Sequence, residues 1–209
     1  MTRAVFLDAL GTLVELEPPW VSLRDRVPAE VSDERLVRAL RAEMDYYREH
    51  AHEGRDEDSL AELRERCAGI VSDKLGLEIT VDELVESIRF SAYPDAVPAL
   101  SALRRRGLRL VAVSNWDCAL PRVLERCGLA AMLDGTITSA GAGARKPDPA
   151  IFAPALDLAG CEASEALHVG DTAEEDVAGA RAAGIRPLLI DRDGGDGDIS
   201  SLKEIDQHL

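Results

Sequence analysis

Residues 6–14 read FLDALGTLV, an apolar run that delivers an aspartate, Asp8, into a turn made by Gly11 and Thr12. A carboxylate at the end of such a run, followed by a glycine turn, lies where successive backbone N–H groups can face an anion. Three other places repeat this arrangement of polar residues at the exit of an apolar stretch. Ser114 and Asn115 end LVAVSN, and Lys146 sits in RKPDP, where Pro147 and Pro149 stiffen the loop that aims it. Asp171 ends HVGD and is followed by Glu174, Glu175 and Asp176. Lys74, Lys146 and Lys203 are the only lysines among 24 Lys+Arg, so arginine is the default cation and a proline-braced lysine points to a need for a compact ammonium charge. Asp171 precedes a helix at a strand end, where a hard divalent cation can take a carboxylate oxygen. Each residue also has an ordinary reading. Asp8 can cap a turn, Ser114 and Asn115 can be a plain strand exit, Lys146 can be solvated, and Glu174 can complement a helix dipole.

The elements that must position these groups alternate along the chain. Apolar runs at 3–7, 108–113, 135–138, 166–169 and 185–190 have strand length. Helical spacing follows at 94–106, 118–127, 149–159 and 173–183, the last before Gly184. Strand then helix, repeated, predicts an α/β fold with a parallel sheet and helices on both faces, and ligands in such a sheet bind beyond the carboxyl ends of the strands. Residues 15–92 break the rhythm, because after Pro18–Pro19 they hold only helical periodicities. Leu36, Leu40, Met44 and Tyr47 share one face; Leu60, Leu63, Cys67, Ile70 and Val71 share the next; and Thr80 with Glu83 forms a capping-box pattern. The spacing therefore predicts a core domain of residues 1–14 and 93–209 interrupted by a helical insert over 15–92. The acidic turn HAHEGRDED (50–58) joins two of its helices, and DRDGGDGD (191–198) reads as a mobile acidic loop.

Composition narrows the partners. A net charge of −15 repels a phosphate backbone, which argues against nucleic acid. No stretch approaches the roughly 18–20 apolar residues of a membrane helix, and the N-terminus has too short an apolar run for a secretory signal. The four cysteines form no CxxC pair, which suits a reducing setting. The expectation is a soluble, cytoplasmic protein, monomer or homodimer.

The order D-x-x-G-T-L, then SN, then K-P-D-P, then G-D with a later aspartate, each at a strand end, resembles the haloacid dehalogenase-like hydrolase superfamily over essentially the whole chain. The resemblance implies a Rossmann-like three-layer core, with the insert after the first strand matching the family's small helical cap. It implies that Asp8 is the nucleophile and that Thr12, Ser114 and Asn115, beside the Gly11 turn, hold the transferred group's oxygens. Lys146 would neutralise charge near Asp8. Mg²⁺ would be held by Asp8, the main-chain carbonyl of Leu10 and Asp171, with Asp176 as support or a further ligand. An anionic aspartate attacks an anionic phosphate only if their repulsion is cancelled, which Mg²⁺ and Lys146 would do. Leu10 stands where the family's phosphatases carry a second aspartate, the acid/base, whose loss typically costs about 10²–10⁴ in rate.

The implied activity is thus a slow Mg²⁺-dependent phosphatase acting on a small anionic molecule and forming a phospho-aspartyl intermediate on Asp8. One alternative is a 2-haloacid dehalogenase, with Arg38, Arg41 or Arg48 receiving halide. Another is a catalytically weakened binding or regulatory protein. A Schiff-base mechanism fits poorly, because Lys74 is the insert's only lysine. Replacement acid/base candidates are His50, His52 and Asp117, and the turn from His50 to Arg55 is the candidate for specificity.

Overall fold

β1 (Ala4–Leu7) is buried at all four positions, as its unbroken AVFL run requires of a strand covered on both faces. The structure, a computed structural model, describes residues 1–209. The chain leaves β1 through the Gly11–Thr12 turn into β2 (Val14–Leu16), which pairs antiparallel with β3 (Phe90–Ala92). Between these two strands lie α1 (Pro19–Leu23), α2 (Asp33–His50), α3 (Glu57–Leu75) and α4 (Val81–Ser87). Helices and strands then alternate as α5 (Ala96–Arg105), β4 (Arg109–Ser114), α6 (Leu120–Arg126), β5 (Gly135–Thr138) and the single turn α7 (Ser139–Ala142). The chain continues with α8 (Ala153–Ala159), β6 (Ala166–Gly170), α9 (Ala178–Ala182) and β7 (Arg186–Leu189).

The five core strands form one parallel sheet in the order β5-β4-β1-β6-β7. The chain adds β4 and β5 on one side of β1 and β6 and β7 on the other, so the strand order reverses beside β1 and a crevice opens there. Leu7 is in register with Ala112 of β4 and Val169 of β6, which brings Asp8, Ser114 and Asp171 out at one edge. The Asp8 N–H extends the ladder by donating to the Val169 carbonyl (2.8 Å). Alternate strand residues face opposite layers. Val5, Leu7, Leu110 and Ala112 pack with Leu100, Leu103, Leu120 and Leu124 on one side, while Phe6, Val111 and Val113 pack with Ile151, Phe152 and Ala180 on the other.

The insert buries its own apolar faces. Leu23, Leu36, Leu40, Leu60, Leu63, Val71, Leu75 and Leu84 belong to one cluster, to which the core contributes only Ala119. Ser32 caps α2 by accepting the Arg35 N–H, and α4 starts with the reciprocal Thr80–Glu83 box that its spacing predicts. Residues 15–92 are not wholly helical as their periodicity suggests. β2 and β3 are three residues each, too short for alternation to register, and they form the ribbon through which the chain enters and leaves the insert. The helix expected over 149–159 begins with a 3-10 turn at Pro149–Phe152, and that over 173–183 begins with a π turn at Ala173–Val177. The acidic turn after α2 docks on the core: the Cys118 N–H donates to the Gly54 carbonyl (2.9 Å), and the Tyr47 hydroxyl donates to Asp117 (2.8 Å).

Because the insert's cluster is nearly self-contained, Leu63→Ala should cost about 2–5 kcal/mol and act on the insert first. Native-state hydrogen exchange should show faster exchange in α2 and α3 with β1 and β6 still protected. Equal loss of protection in β1 and β6 would mean that insert and core open as one unit.

Candidate active site

The Lys146 ammonium is almost fully enclosed at the reversal point of the sheet. It donates to Asp8 Oδ1 and Asp176 Oδ1, both at 2.5 Å, and to the Val113 carbonyl at 3.1 Å. All three of its protons are therefore used. The lysine loop is held from β4's exit: the Asn115 carboxamide accepts the Lys146 N–H (2.7 Å) and donates to the Lys146 carbonyl (2.9 Å) and to Glu175 (2.8 Å). Asp176 also accepts from His168 Nε2 (2.9 Å) and from the Thr172 N–H (3.0 Å). The π turn carries Asp176 back against the end of β6, where a Cβ on Gly170 would lie 2.0 Å from its Cγ, so only glycine fits. At Gly11, φ is +78° and a Cβ would lie 2.1 Å from Asp171 Oδ2, so glycine is required there on both counts.

Asp8, Asp171 and Asp176 offer oxygens that all lie within 4.8 Å of one another. Three carboxylates against one ammonium leave an excess of two negative charges, and the proton affinities reflect it. Burial and the charge of Asp176 raise Asp8, despite the opposing pull of Lys146 and the Ser114 hydroxyl. Burial and the two neighbouring carboxylates push Asp171 up to about 6. Burial works to raise Asp176 too, but Lys146 and His168 outweigh it and hold that carboxyl well below its usual range. Burial works to lower Lys146, and the two aspartates more than reverse it.

A cavity of about 630 Å³ opens over the cluster, between core and insert. Asp8, Leu10, Ser114, Asn115 and Asp171 line it from the core, and Glu43, Tyr47, Arg48 and Arg64 line it from the insert. Two placements differ from the expectation. The donors of the Asn115 side chain are spent on the lysine loop and Glu175, so its geometry braces Lys146. Thr12 is fully enclosed, does not line the cavity, and its hydroxyl has no partner, while its main-chain carbonyl accepts from Arg192. Leu10 faces the cavity as an apolar side chain. Of the acid/base candidates only Asp117 reaches the cavity, with its oxygens accepting from Tyr47 and the Ala119 N–H. His50 stacks on Tyr46 and contacts its carbonyl, and neither His50 nor His52 lines the space. Arg48 does, whereas Arg38, Arg41, Arg55 and Lys74 do not.

Two contributors escape a reading by motif. His168 is a fully buried position of β6, where a strand pattern assigns only packing. Arg192 belongs to the acidic loop expected to be mobile, yet it anchors the Asp8 turn. It donates to the Gly11 (3.0 Å) and Thr12 carbonyls, pairs with Asp95 (3.2 Å) and lies 3.5 Å from the Tyr93 ring centroid.

Lys146→Met should lower the unfolding free energy by about 3–5 kcal/mol at pH 8, because it strands buried carboxylates. Without the ammonium those carboxyls rise further, so they cost stability above their pKa and less below it. Urea unfolding should therefore show a smaller loss at pH 5, and an equal or larger loss there would refute the charge argument. Arg192→Met should accelerate amide exchange at residues 10–14 while β1 stays protected; unchanged exchange would show that the turn holds itself.

The chain and its fold match known proteins. Residues 2–184 match the family model for haloacid dehalogenase-like hydrolases. A phosphoserine phosphatase from Thermus thermophilus is 41% identical over 108 residues, 51% of this chain and 43% of the relative. The chain spans about half or less of the curated relatives it matches first. Among solved structures, a HAD phosphatase from Thermococcus onnurineus superposes with a TM-score of 0.71 at 26% identity, over 100% of this chain and 98% of that one. An L-2-haloacid dehalogenase from Xanthobacter autotrophicus superposes with a TM-score of 0.75 at 22% identity, over 99% and 98%, a likeness of fold alone. Given the family match across residues 2–184, the chain belongs to the haloacid dehalogenase-like hydrolases.

Proposed function

We propose that the chain is a Mg²⁺-dependent phosphatase that moves a phosphoryl group from a small ester to Asp8 and then to water. The observation that carries this reading is the uncompensated charge: three carboxylates within 4.8 Å, with one ammonium among them. Oxygen donors with two surplus negative charges suit a hard divalent cation, and Asp8, Asp171 and Asp176, with the Leu10 carbonyl, would hold it. When bound, Mg²⁺ supplies the positive charge that lets two anions meet.

The protein's own groups then divide the work. An Asp8 carboxylate oxygen forms a bond to phosphorus as the bond to the ester oxygen breaks. Lys146 holds the attacking carboxylate in place and offsets charge beside it, and the Ser114 hydroxyl, on the cavity wall, holds an oxygen of the transferred group. Water then attacks the phosphorus of the acyl phosphate, releasing phosphate and regenerating Asp8. No side chain at position 10 hands the leaving oxygen its proton, so esters whose oxygen departs readily are favoured. Leu10 is also the observation that favours the second reading, a dehalogenase, because halide leaves without a proton.

Para-nitrophenyl phosphate should be hydrolysed only with Mg²⁺ and not by Asp8→Asn. Leu10→Asp should raise the rate by up to about 10²–10⁴ on esters with poor leaving groups. Halide release from 2-chloropropionate without metal would replace this reading with the dehalogenase. Mg²⁺ should also raise Tm, more at pH 8 than at pH 5. Asp171, at about 6, is ionised at the higher pH and largely protonated at the lower. In Asp171→Asn the Mg²⁺ shift should vanish; a shift retained there would place the cation elsewhere.

A further inference from the structure

The carboxylates around the cavity are nearly all answered by the protein. Asp8 has Lys146, and Asp171 belongs to the acidic cluster. Glu175 accepts from Asn115 and pairs with Arg145 (3.2 Å). Asp117 takes Tyr47 and the Ala119 N–H. Glu43 is buried beside the Cys67 thiol, and burial raises it toward its neutral form. Glu17, exposed at the rim, and Asp171, within the acidic cluster, are the ones without such a partner.

The guanidiniums are not answered in this way. Of the five arginines that line the cavity, only Arg145 is in an ion pair. Arg89 and Arg126 are exposed and turn their Nε–H groups to nearby helix carbonyls, at Glu86 of α4 and Arg122 of α6. Arg48 on α2 and Arg64 on α3 donate no side-chain hydrogen bond and form no ion pair; Arg64 is half-buried, and the one carboxylate its charge acts on, Asp117, is already held by Tyr47 and the Ala119 N–H. In a chain with 39 acidic and 24 basic residues, a carboxylate is the neighbour a guanidinium most easily finds. Taking such a group partly out of water with no partner is costly unless something else supplies the anion. The walls of the same cavity also carry apolar side chains, Met44, Leu84, Ile88 and Val123 among them.

We propose that Arg64, assisted by Arg48, binds a second anionic group of the substrate, so that the preferred ligands are phosphate esters carrying a carboxylate or phosphate at their far end. The proposal rests on the phosphatase reading for the group at Asp8, and on the cavity alone for the group at Arg64. The planar fork of a guanidinium suits either oxyanion by paired N–H donors. The apolar side chains of the wall accept a short carbon chain.

Non-hydrolysable phosphonates separate this claim from the reaction. With Mg²⁺ present, isothermal titration should show 3-phosphonopropionate binding about tenfold or more tightly than propylphosphonate, as a charge-assisted contact warrants. Propane-1,3-bisphosphonate in place of the carboxylate compound tells which distal anion is preferred, and a preference for either supports the subsite. Arg64→Gln should bring the ratio close to one with propylphosphonate affinity unchanged, which also certifies the variant as folded. Arg48→Gln should reduce the ratio in part. A ratio near one in the wild-type protein for both compounds, or a ratio undiminished in Arg64→Gln, overturns the proposal. Failure to hydrolyse para-nitrophenyl phosphate alongside an intact ratio would sink the reaction and leave the subsite standing.

Discussion

One buried ammonium holds three strand ends together. Lys146 ties Asp8 after β1, the Val113 carbonyl in β4 and Asp176 after β6, and these strands are neighbours in the sheet. A lysine enclosed this completely tolerates no slack, because a displaced ammonium leaves both carboxylates buried and unpaired. The surrounding residues serve that demand. Asn115 grips both main-chain polar groups of Lys146, Gly170 gives Asp176 room to approach, and His168 fixes the carboxylate from inside the sheet.

The cluster is stable in position but not in charge. Lys146 meets Asp8 and Asp176 alike, but only Asp176 also accepts from His168 and the Thr172 N–H; burial and the neighbouring carboxylates shift Asp8 and Asp171 up, while Lys146 and the added donors hold Asp176 down. The insert sharpens this imbalance. By docking through Tyr47–Asp117 and Gly54–Cys118 it closes the cavity over the strand ends, so the fields of the carboxylates are less screened there than at an open surface.

The strand ends are legible in the sequence because Asp8, Ser114 and Asp171 each follow an apolar run long enough to be a strand, whereas Lys146 comes after the α7 turn and is legible from its proline-braced loop. Asp8, Ser114, Lys146 and Asp171 all line or adjoin the place where that reading puts them. What it missed lacks any such signal. His168 sits where alternation reports only burial, and Arg192 hides in a glycine- and aspartate-rich loop whose composition suggests solvent. The β2–β3 ribbon is too short to show a period. Asn115 and Thr12 were given substrate contacts on motif grounds, but a motif names a residue and not the direction of its side chain. Arg64 was passed over because an amphipathic helix places arginines on its outer face as a matter of course, and only the docked insert shows which of them looks inward.

Leu10 changes the balance of this site in two opposite ways. An aspartate there would add a fourth carboxylate beside a cluster already two charges in excess, so the leucine spares the metal-free protein further repulsion and offers an incoming oxyanion less resistance. It also lines the cavity with apolar surface exactly where a leaving oxygen would seek a proton. On the proposed phosphatase reading, binding of anions is thereby eased while their departure is made to depend on their own chemistry. A phosphatase so built would discriminate through the leaving group and through whatever the insert grips at the far end, and much less through proton transfer supplied by the core.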